Sequence, residues 1–193
     1  DSIDKTELDG MPLNQVESLL DMGTGSGIVA IFFQALALKL EKFNPSVWAS
    51  DFSKTAIICA KNNARANGLE GKIRFIRSDL FDDFPSSLEH GLDLIIFNPP
   101  YLPSSNFIDQ KKSIDQTWDG GEKGVELTLK FLESANLFLK KRNASRIYFI
   151  CSDRANLNLL MEKIKELGFN QEIVRRKRVF FEEIRLIRLK LNP

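Results

Sequence analysis

The chain has 193 residues, 43% of them hydrophobic and 27% charged, enough to build one domain with a sizeable core. A net charge of +1 gives no overall field that would draw it to nucleic acid or an anionic membrane, and no apolar run approaches the ~20 residues of a membrane helix. The polar opening DSIDKTELDG is no signal peptide, and Cys59 and Cys151 lie far apart without C-x-x-C spacing, so neither a disulfide framework nor a metal site is expected and a reducing cytoplasm fits.

No repeat or linker divides the sequence, so residues 1–193 are expected to form a single domain. The chain starts at Asp1 rather than Met, and an upstream leader is expected to be missing. Apolar runs alternate with helix-period segments. A buried strand is expected over 16–21, then a helix apolar nearly all round, and hence buried, over 28–40. A second strand spans 46–51. Ser53 caps the helix that follows, and Gly68 stops it. KIRFIRSDL alternates, with Ile73, Phe75 and Ile76 directed inward. LDLIIF (92–97) is the short continuous apolar run of a central parallel strand. A helix over 124–139, a strand over 146–151 and a helix over 156–167 complete the alternation. The last 24 residues instead read as two strand-like runs around a basic turn, RRKR (175–178), and form a hairpin. The result is a three-layer α/β/α sandwich, with a Rossmann-like, seven-stranded, mostly parallel sheet closed by a C-terminal antiparallel hairpin. Cys59 and Cys151 read as core packing residues, and the only histidine, His90, as a loop residue without chemistry.

The first strand runs into LLDMGTGSG. Gly23, Gly25 and Gly27 allow a tight turn and close approach of backbone to a ligand, with Thr24 between them and a helix N-terminus behind. Ile28 stands where a dinucleotide fingerprint has its third glycine, which argues against a dehydrogenase. Asp21, Asp51 and Asp79 each close one of the first three strands, at the sheet edge where ligands bind. A carboxylate in the position of Asp51 accepts both hydroxyls of a ribose. The pattern resembles the class I S-adenosylmethionine-dependent methyltransferases. That resemblance implies that the glycine loop passes the methionine part of the cofactor, that Asp51 holds the ribose and that Asp79 faces the adenine amine. Phe52 would flank the adenine and Leu80 would offer a backbone contact.

After the fourth strand comes Asn98-Pro99-Pro100-Tyr101. Two successive prolines stiffen this corner and remove two backbone donors. The Asn98 side-chain carbonyl, the Pro99 backbone carbonyl and the Tyr101 ring together suit a planar –NH₂ group on a π-system, either a carboxamide or the exocyclic amine of a base. These four residues are the expected catalytic set. The combination DMGTGSG, SDLF, FNPPY and TWDGGEKGVE resembles the HemK/PrmC family, which methylates the glutamine of the Gly-Gly-Gln motif in translation release factors. Trp118, Gly120 and Gly121 fall in a family loop of the form W-x-G-G, completed here by Gly124 and Glu126. The connection over 102–123 reads as a substrate-side loop. With only ~15 residues before the first strand, the chain is similar to the short archaeal and eukaryotic branch, which implies a small zinc-binding activator of the Trm112 type. An RNA or DNA exocyclic-amine methyltransferase is the alternative, and a non-catalytic binding subunit a third reading.

Two basic runs remain. KKR (140–142) reads as a solvated helix end. RRKR reads as a solvated turn or an RNA contact, but base recognition would need exposed aromatics beside it, and alternation is expected to bury at least one of Phe180 and Phe181.

Overall fold

The computed structural model describes residues 7–103 and 120–192. A two-stranded hairpin, β1 (Glu7–Leu8) and β2 (Met11–Pro12), precedes the main sheet and has no counterpart in the sequence expectation. The alternation then runs β3 (Ser18–Met22), α1 (Ile28–Ala37), β4 (Ser46–Asp51), α2 (Lys54–Ala66), β5 (Ile73–Arg77), β6 (Leu94–Phe97), α3 (Glu126–Phe138), β7 (Arg146–Ser152), α4 (Leu157–Glu166), β8 (Phe169–Val179) and β9 (Glu182–Leu191). The seven-stranded sheet has the order β5-β4-β3-β6-β7-β9-β8. Strands β3 to β7 are parallel, and β9 enters antiparallel to both β7 and β8. This is the expected three-layer architecture with its terminal hairpin.

Local chemistry sets the element ends. The Ser53 hydroxyl accepts from the Ala56 N–H at 3.3 Å, and the Asn156 side-chain Oδ1 from the Leu159 N–H at 3.1 Å. Every residue of β3 is buried, because helices cover both faces of the sheet there. On the α3/α4 side an aromatic cluster fills the core, with Phe81 stacked on Phe138 at 4.5 Å and on Phe131 at 5.8 Å. On the α1/α2 side Leu19, Val47, Phe33 and Phe43 form a second core. The chain order reverses between β3 and β6: from β3 the sheet grows one way through β4 and the other way from β6 onward. That switch point opens a crevice beyond the strand ends.

Four expectations need correction. Helix α1 is not buried all round: Ile28, Phe32 and, just past its end, Leu38 are exposed, because α1 lies in an outer layer and only Ala30, Phe33 and Gln34 are fully covered. Cys59 is exposed. On α2 the inward phase is Ile57, Ala60 and Ala64, and Cys59 falls outside it; Cys151 is buried, as expected, and burial pushes its thiol up to about 11. KKR is solvated only at Lys141. Lys140 and Arg142 reach the buried Asp93 at 3.0 and 2.5 Å, and Lys140 also pairs with Glu17 at 2.7 Å.

The hairpin is the fourth correction. RRKR lies within β8, not at the turn, and Val179 pairs with Glu182, leaving Phe180 and Phe181 as the turn residues. An edge strand tolerates this composition because one of its sides meets water, and charge there resists edge-to-edge pairing. Both phenylalanines are exposed, at 90% and 87%, because strand alternation ends where the ladder ends.

Candidate active site

Strand β3 delivers Asp21 to the switch point. Its carboxylate is buried behind the glycine loop, where Oδ2 accepts from the Thr24 hydroxyl at 2.6 Å and from the Ala30 N–H at 3.1 Å. The loop is thereby tied to the first turn of α1. Burial pushes the Asp21 carboxyl up to about 6. The Thr24 and Ala30 hydrogen bonds pull the other way, and the nearby Asp51 charge adds to the rise.

A consequence for stability follows. A raised carboxyl pKa means that the folded chain holds this proton more tightly than the unfolded chain, whose value is near 3.8. The contribution is complete below that value and is lost as pH rises through about 6, amounting to ~3 kcal/mol. Asp21→Asn keeps a carbonyl acceptor and removes the titration. Its urea midpoint should change less between about pH 4 and pH 7 than that of the parent chain. Parallel midpoint curves for the two proteins over that range would refute the assignment.

The rest of the loop is held by backbone. The Thr24 N–H donates to the Ser50 carbonyl and the Gly27 N–H to the Thr24 carbonyl, both at 2.8 Å. Gly27 has φ +85°, and a Cβ there would stand 3.0 Å from the Ala60 Cβ, so glycine lets α1 and α2 pack closely. At the end of β4, Asp51 is gripped from two sides: Oδ2 accepts from the Gly25 N–H at 2.9 Å and Oδ1 from the Ser53 N–H at 2.8 Å. Each oxygen keeps lone-pair capacity for a further donor. The Phe52 ring is two-thirds exposed beside it. Beyond β5, half-exposed Asp79 pairs with Lys130 of α3 at 3.2 Å. Leu80 follows in the left-handed region, at φ +48°.

The proline corner joins this loop through the sheet. Strands β3 and β6 are neighbours with Met22 opposite Phe97, so Gly23 and Asn98 leave the sheet side by side. Asn98 is exposed and Pro99 buried. Gly120 packs against the corner: its N–H donates to the Leu102 carbonyl at 2.8 Å, and a Cβ on it would come within 2.9 Å of the Pro100 carbonyl oxygen. Glu126 locks the same segment, accepting from the Lys123 N–H at 2.9 Å and the Val125 N–H at 3.1 Å. Burial raises the Glu126 carboxyl, but the backbone N–H groups of Lys123, Glu126 and Val125 outweigh it and hold the group below its ordinary value. Burial raises the Tyr101 hydroxyl, and the negative charge of Glu182 on β9 raises it further. Trp118 lies outside the described residues.

The fold therefore gathers the glycine loop, Asp51, Asp79 and the Asn98–Tyr101 corner along one sheet edge. Lys130 and Glu182 join them unannounced by any motif. Lys130 is 51 residues from its partner, and only the packing of α3 beside the β5 exit brings it there.

Residues 5–113 match the family model described as the methyltransferase small domain. The chain belongs to this family. It is 33% identical over 171 residues to a protein of Methanocaldococcus jannaschii, provisionally named a protein N5-glutamine methyltransferase, with 89% of this chain and 80% of that one covered. It is 38% identical over 160 residues to the release factor glutamine methyltransferase of Lactococcus lactis, covering 82% of this chain and 50% of that protein. The chain thus spans four fifths of the archaeal relative but half or less of the bacterial ones.

Among solved structures, the fold matches the E. cuniculi Mtq2–Trm112 complex, described as responsible for methylation of the eRF1 translation termination factor. The TM-score is 0.60 at 19% identity, over 98% of this chain and 92% of that one. A Pyrococcus furiosus methyltransferase gives a TM-score of 0.63 at 22% identity, over 93% and 78% of the two chains. These likenesses bear on the fold alone.

The methyltransferase assignment makes S-adenosylmethionine the cofactor, and the donor set fits it. Gly25 borders open space, since a Cβ there would meet nothing within 4 Å. Asp51 presents two acceptor oxygens fixed by backbone, as a ribose diol requires. Phe52 offers an exposed ring face. Among the described residues, no cluster of three or more His, Cys, Asp or Glu could hold a metal ion, and no helix is long and apolar enough to cross a membrane.

Proposed function

We propose that this methyltransferase acts, as one domain over residues 1–193, on the side-chain amide nitrogen of glutamine in the Gly-Gly-Gln motif of a translation release factor. The observation that carries the reading is the Asn98–Pro99 corner, braced by Gly120 and set next to the glycine loop by the β3–β6 pairing. The names of the archaeal and bacterial relatives support it.

An amide nitrogen is a poor nucleophile because its lone pair is delocalised into the carbonyl. The Asn98 side-chain carbonyl and the Pro99 backbone carbonyl accept its two N–H bonds, orient the group and raise electron density on nitrogen. Tyr101 supports the flat face of the amide. S-adenosylmethionine supplies an electrophilic methyl when bound. In this assignment Asp51 holds its ribose, Asp79 with Phe52 and Leu80 its adenine, and Gly23, Thr24, Gly25 and Gly27 shape the methionine end, with Asp21 fixing the loop from behind. Positioning and fixed dipoles provide most of the acceleration, and the nitrogen loses its extra proton to water only after the transferred methyl has made it acidic, so no strong general base is required. A small zinc-binding activator of the Trm112 type is the proposed partner, in line with the structural neighbour's complex.

Radiolabelled methyl transfer tests the reading directly. The enzyme, with and without the candidate activator, is given its cognate release factor, a Gly-Gly-Ala version of that factor, and bulk tRNA. The expected result is label on the factor that disappears with the Gln→Ala change. Label on tRNA alone would move the substrate to a base amine.

A further inference from the structure

The tip of the β8–β9 hairpin lies at the same sheet edge as the active site. Strand β9 runs antiparallel to β7, so its first residues sit beside the β7 carboxyl end, with Ile184 opposite Ser152. Hydrogen bonds tie the tip to the β7 end and to the segment that follows the corner. The Ser152 hydroxyl donates to Glu182 Oε2 at 2.8 Å, and Glu182 is the charge that acts on Tyr101. Asp153 and Glu183 exchange two hydrogen bonds, one from the Asp153 N–H to the Glu183 carbonyl and one from the Glu183 N–H to Asp153 Oδ1, each 3.0 Å. The Asn156 N–H donates to the Lys123 carbonyl at 2.9 Å, which connects this region to the segment braced by Glu126.

The tip exposes two large apolar rings, Phe180 and Phe181. Behind them, Arg175, Arg176, Lys177 and Arg178 are all exposed. Among the described residues none of these four cations is paired with a carboxylate. The nearby acids are engaged elsewhere: Glu183 with Arg185 at 2.7 Å, Glu182 with Ser152 and Glu172 with Arg188. Apolar rings held in water beside unpaired guanidinium groups have the composition of a protein-binding hot spot.

We propose that this tip docks the body of the protein substrate, whose matching surface is an apolar recess rimmed by carboxylates. The inference rests on the glutamine reading above. Charge complementarity gives the partner's sign, and the place of the tip beside the β7 carboxyl end, at the sheet edge that carries the Asn98 corner, gives its location. A glutamine on a loop entering the Asn98 corner leaves the rest of its protein over this edge. The rings form a knob at a two-residue turn rather than a flat platform on a sheet face, which favours a recess in a protein over stacked bases.

The test compares the parent enzyme with two double variants, Phe180→Ala/Phe181→Ala and Arg176→Glu/Arg178→Glu, on intact cognate release factor. Cofactor binding is measured by calorimetry, and RNA binding by anisotropy of a labelled oligonucleotide. The expected result is KM for the factor raised about 10- to 30-fold in each variant, with kcat and cofactor affinity within about twofold of the parent. Unchanged KM in variants of an active enzyme overturns the docking surface and leaves the glutamine reading standing. Loss of cofactor binding overturns it in favour of a structural role. RNA binding that disappears in the variants while KM stays constant overturns it in favour of a nucleic-acid contact. A parent enzyme that places no label on the factor overturns both proposals together.

Discussion

Asn98→Ala is expected to lower the rate of methyl transfer about 10²- to 10³-fold and to leave S-adenosylmethionine affinity within about threefold. The side chain is exposed at the end of β6 and serves no core contact, so its removal leaves the sheet intact. What is lost is one of the two fixed acceptors for the target –NH₂. The remaining Pro99 carbonyl holds one N–H, but the amide can then rotate, and its lone pair no longer faces the methyl donor. Removing one fixed acceptor of this kind costs about 3–4 kcal/mol of barrier, which corresponds to the stated range. The loss belongs in kcat, because the acceptor matters most as charge develops on nitrogen. Asn98→Asp is the informative companion. It keeps an acceptor of the same size and adds negative charge, so it should retain more activity than the alanine variant. Rates for both from single-turnover assays, with calorimetric cofactor affinities, decide the point. Equal activity of Asn98→Ala and the parent chain would falsify the role of the corner.

Asp51→Ala should weaken cofactor binding about 10- to 100-fold, the second-largest effect. Two losses combine. The carboxylate is the acceptor proposed for the ribose hydroxyls, and a hydrogen bond to a charged group contributes about 1.5–3 kcal/mol. It is also the grip on the loop itself, since the Gly25 and Ser53 N–H groups both donate to it. Without it those donors must find water, and the turn between β3 and α1 keeps only the Thr24 N–H to Ser50 carbonyl bond as its tie to β4. Glycines at 23, 25 and 27 then cost more entropy to order around a ligand. Titration of the product, S-adenosylhomocysteine, separates binding from chemistry. Affinity equal to that of the parent would place the ribose elsewhere. Lys130→Met serves as the internal comparison, because it releases Asp79 on the far side of the site without touching the loop.

Much of this protein was legible before any coordinates. The apolar runs at 46–51 and 92–97, the cap at Ser53, and the glycines after strands and helices are local signals, each complete within one or two turns of chain. They specify element type, the alternation and the terminal hairpin, because periodicity and turn chemistry act over a few residues. The glycine loop, the strand-end acids and the Asn-Pro-Pro-Tyr corner are legible for the same reason: each is a short motif whose residues are adjacent in sequence. Tertiary structure alone decided which motifs meet. Asn98 lies beside Gly23 because β3 and β6 pair across the switch point, 75 residues apart. Lys130 reaches Asp79, and Glu182 acts on Tyr101, only because α3 and β9 happen to pass those strand ends. Exposure was decided there too. Helix α1 looks buried by composition, yet its outer face has Ile28 and Phe32 in water, and Phe180 and Phe181 stand clear because the ladder ends at Val179 and Glu182. Whether an apolar residue is covered depends on what lies above it, and that is a property of the assembled layers rather than of the residue's neighbours in the chain.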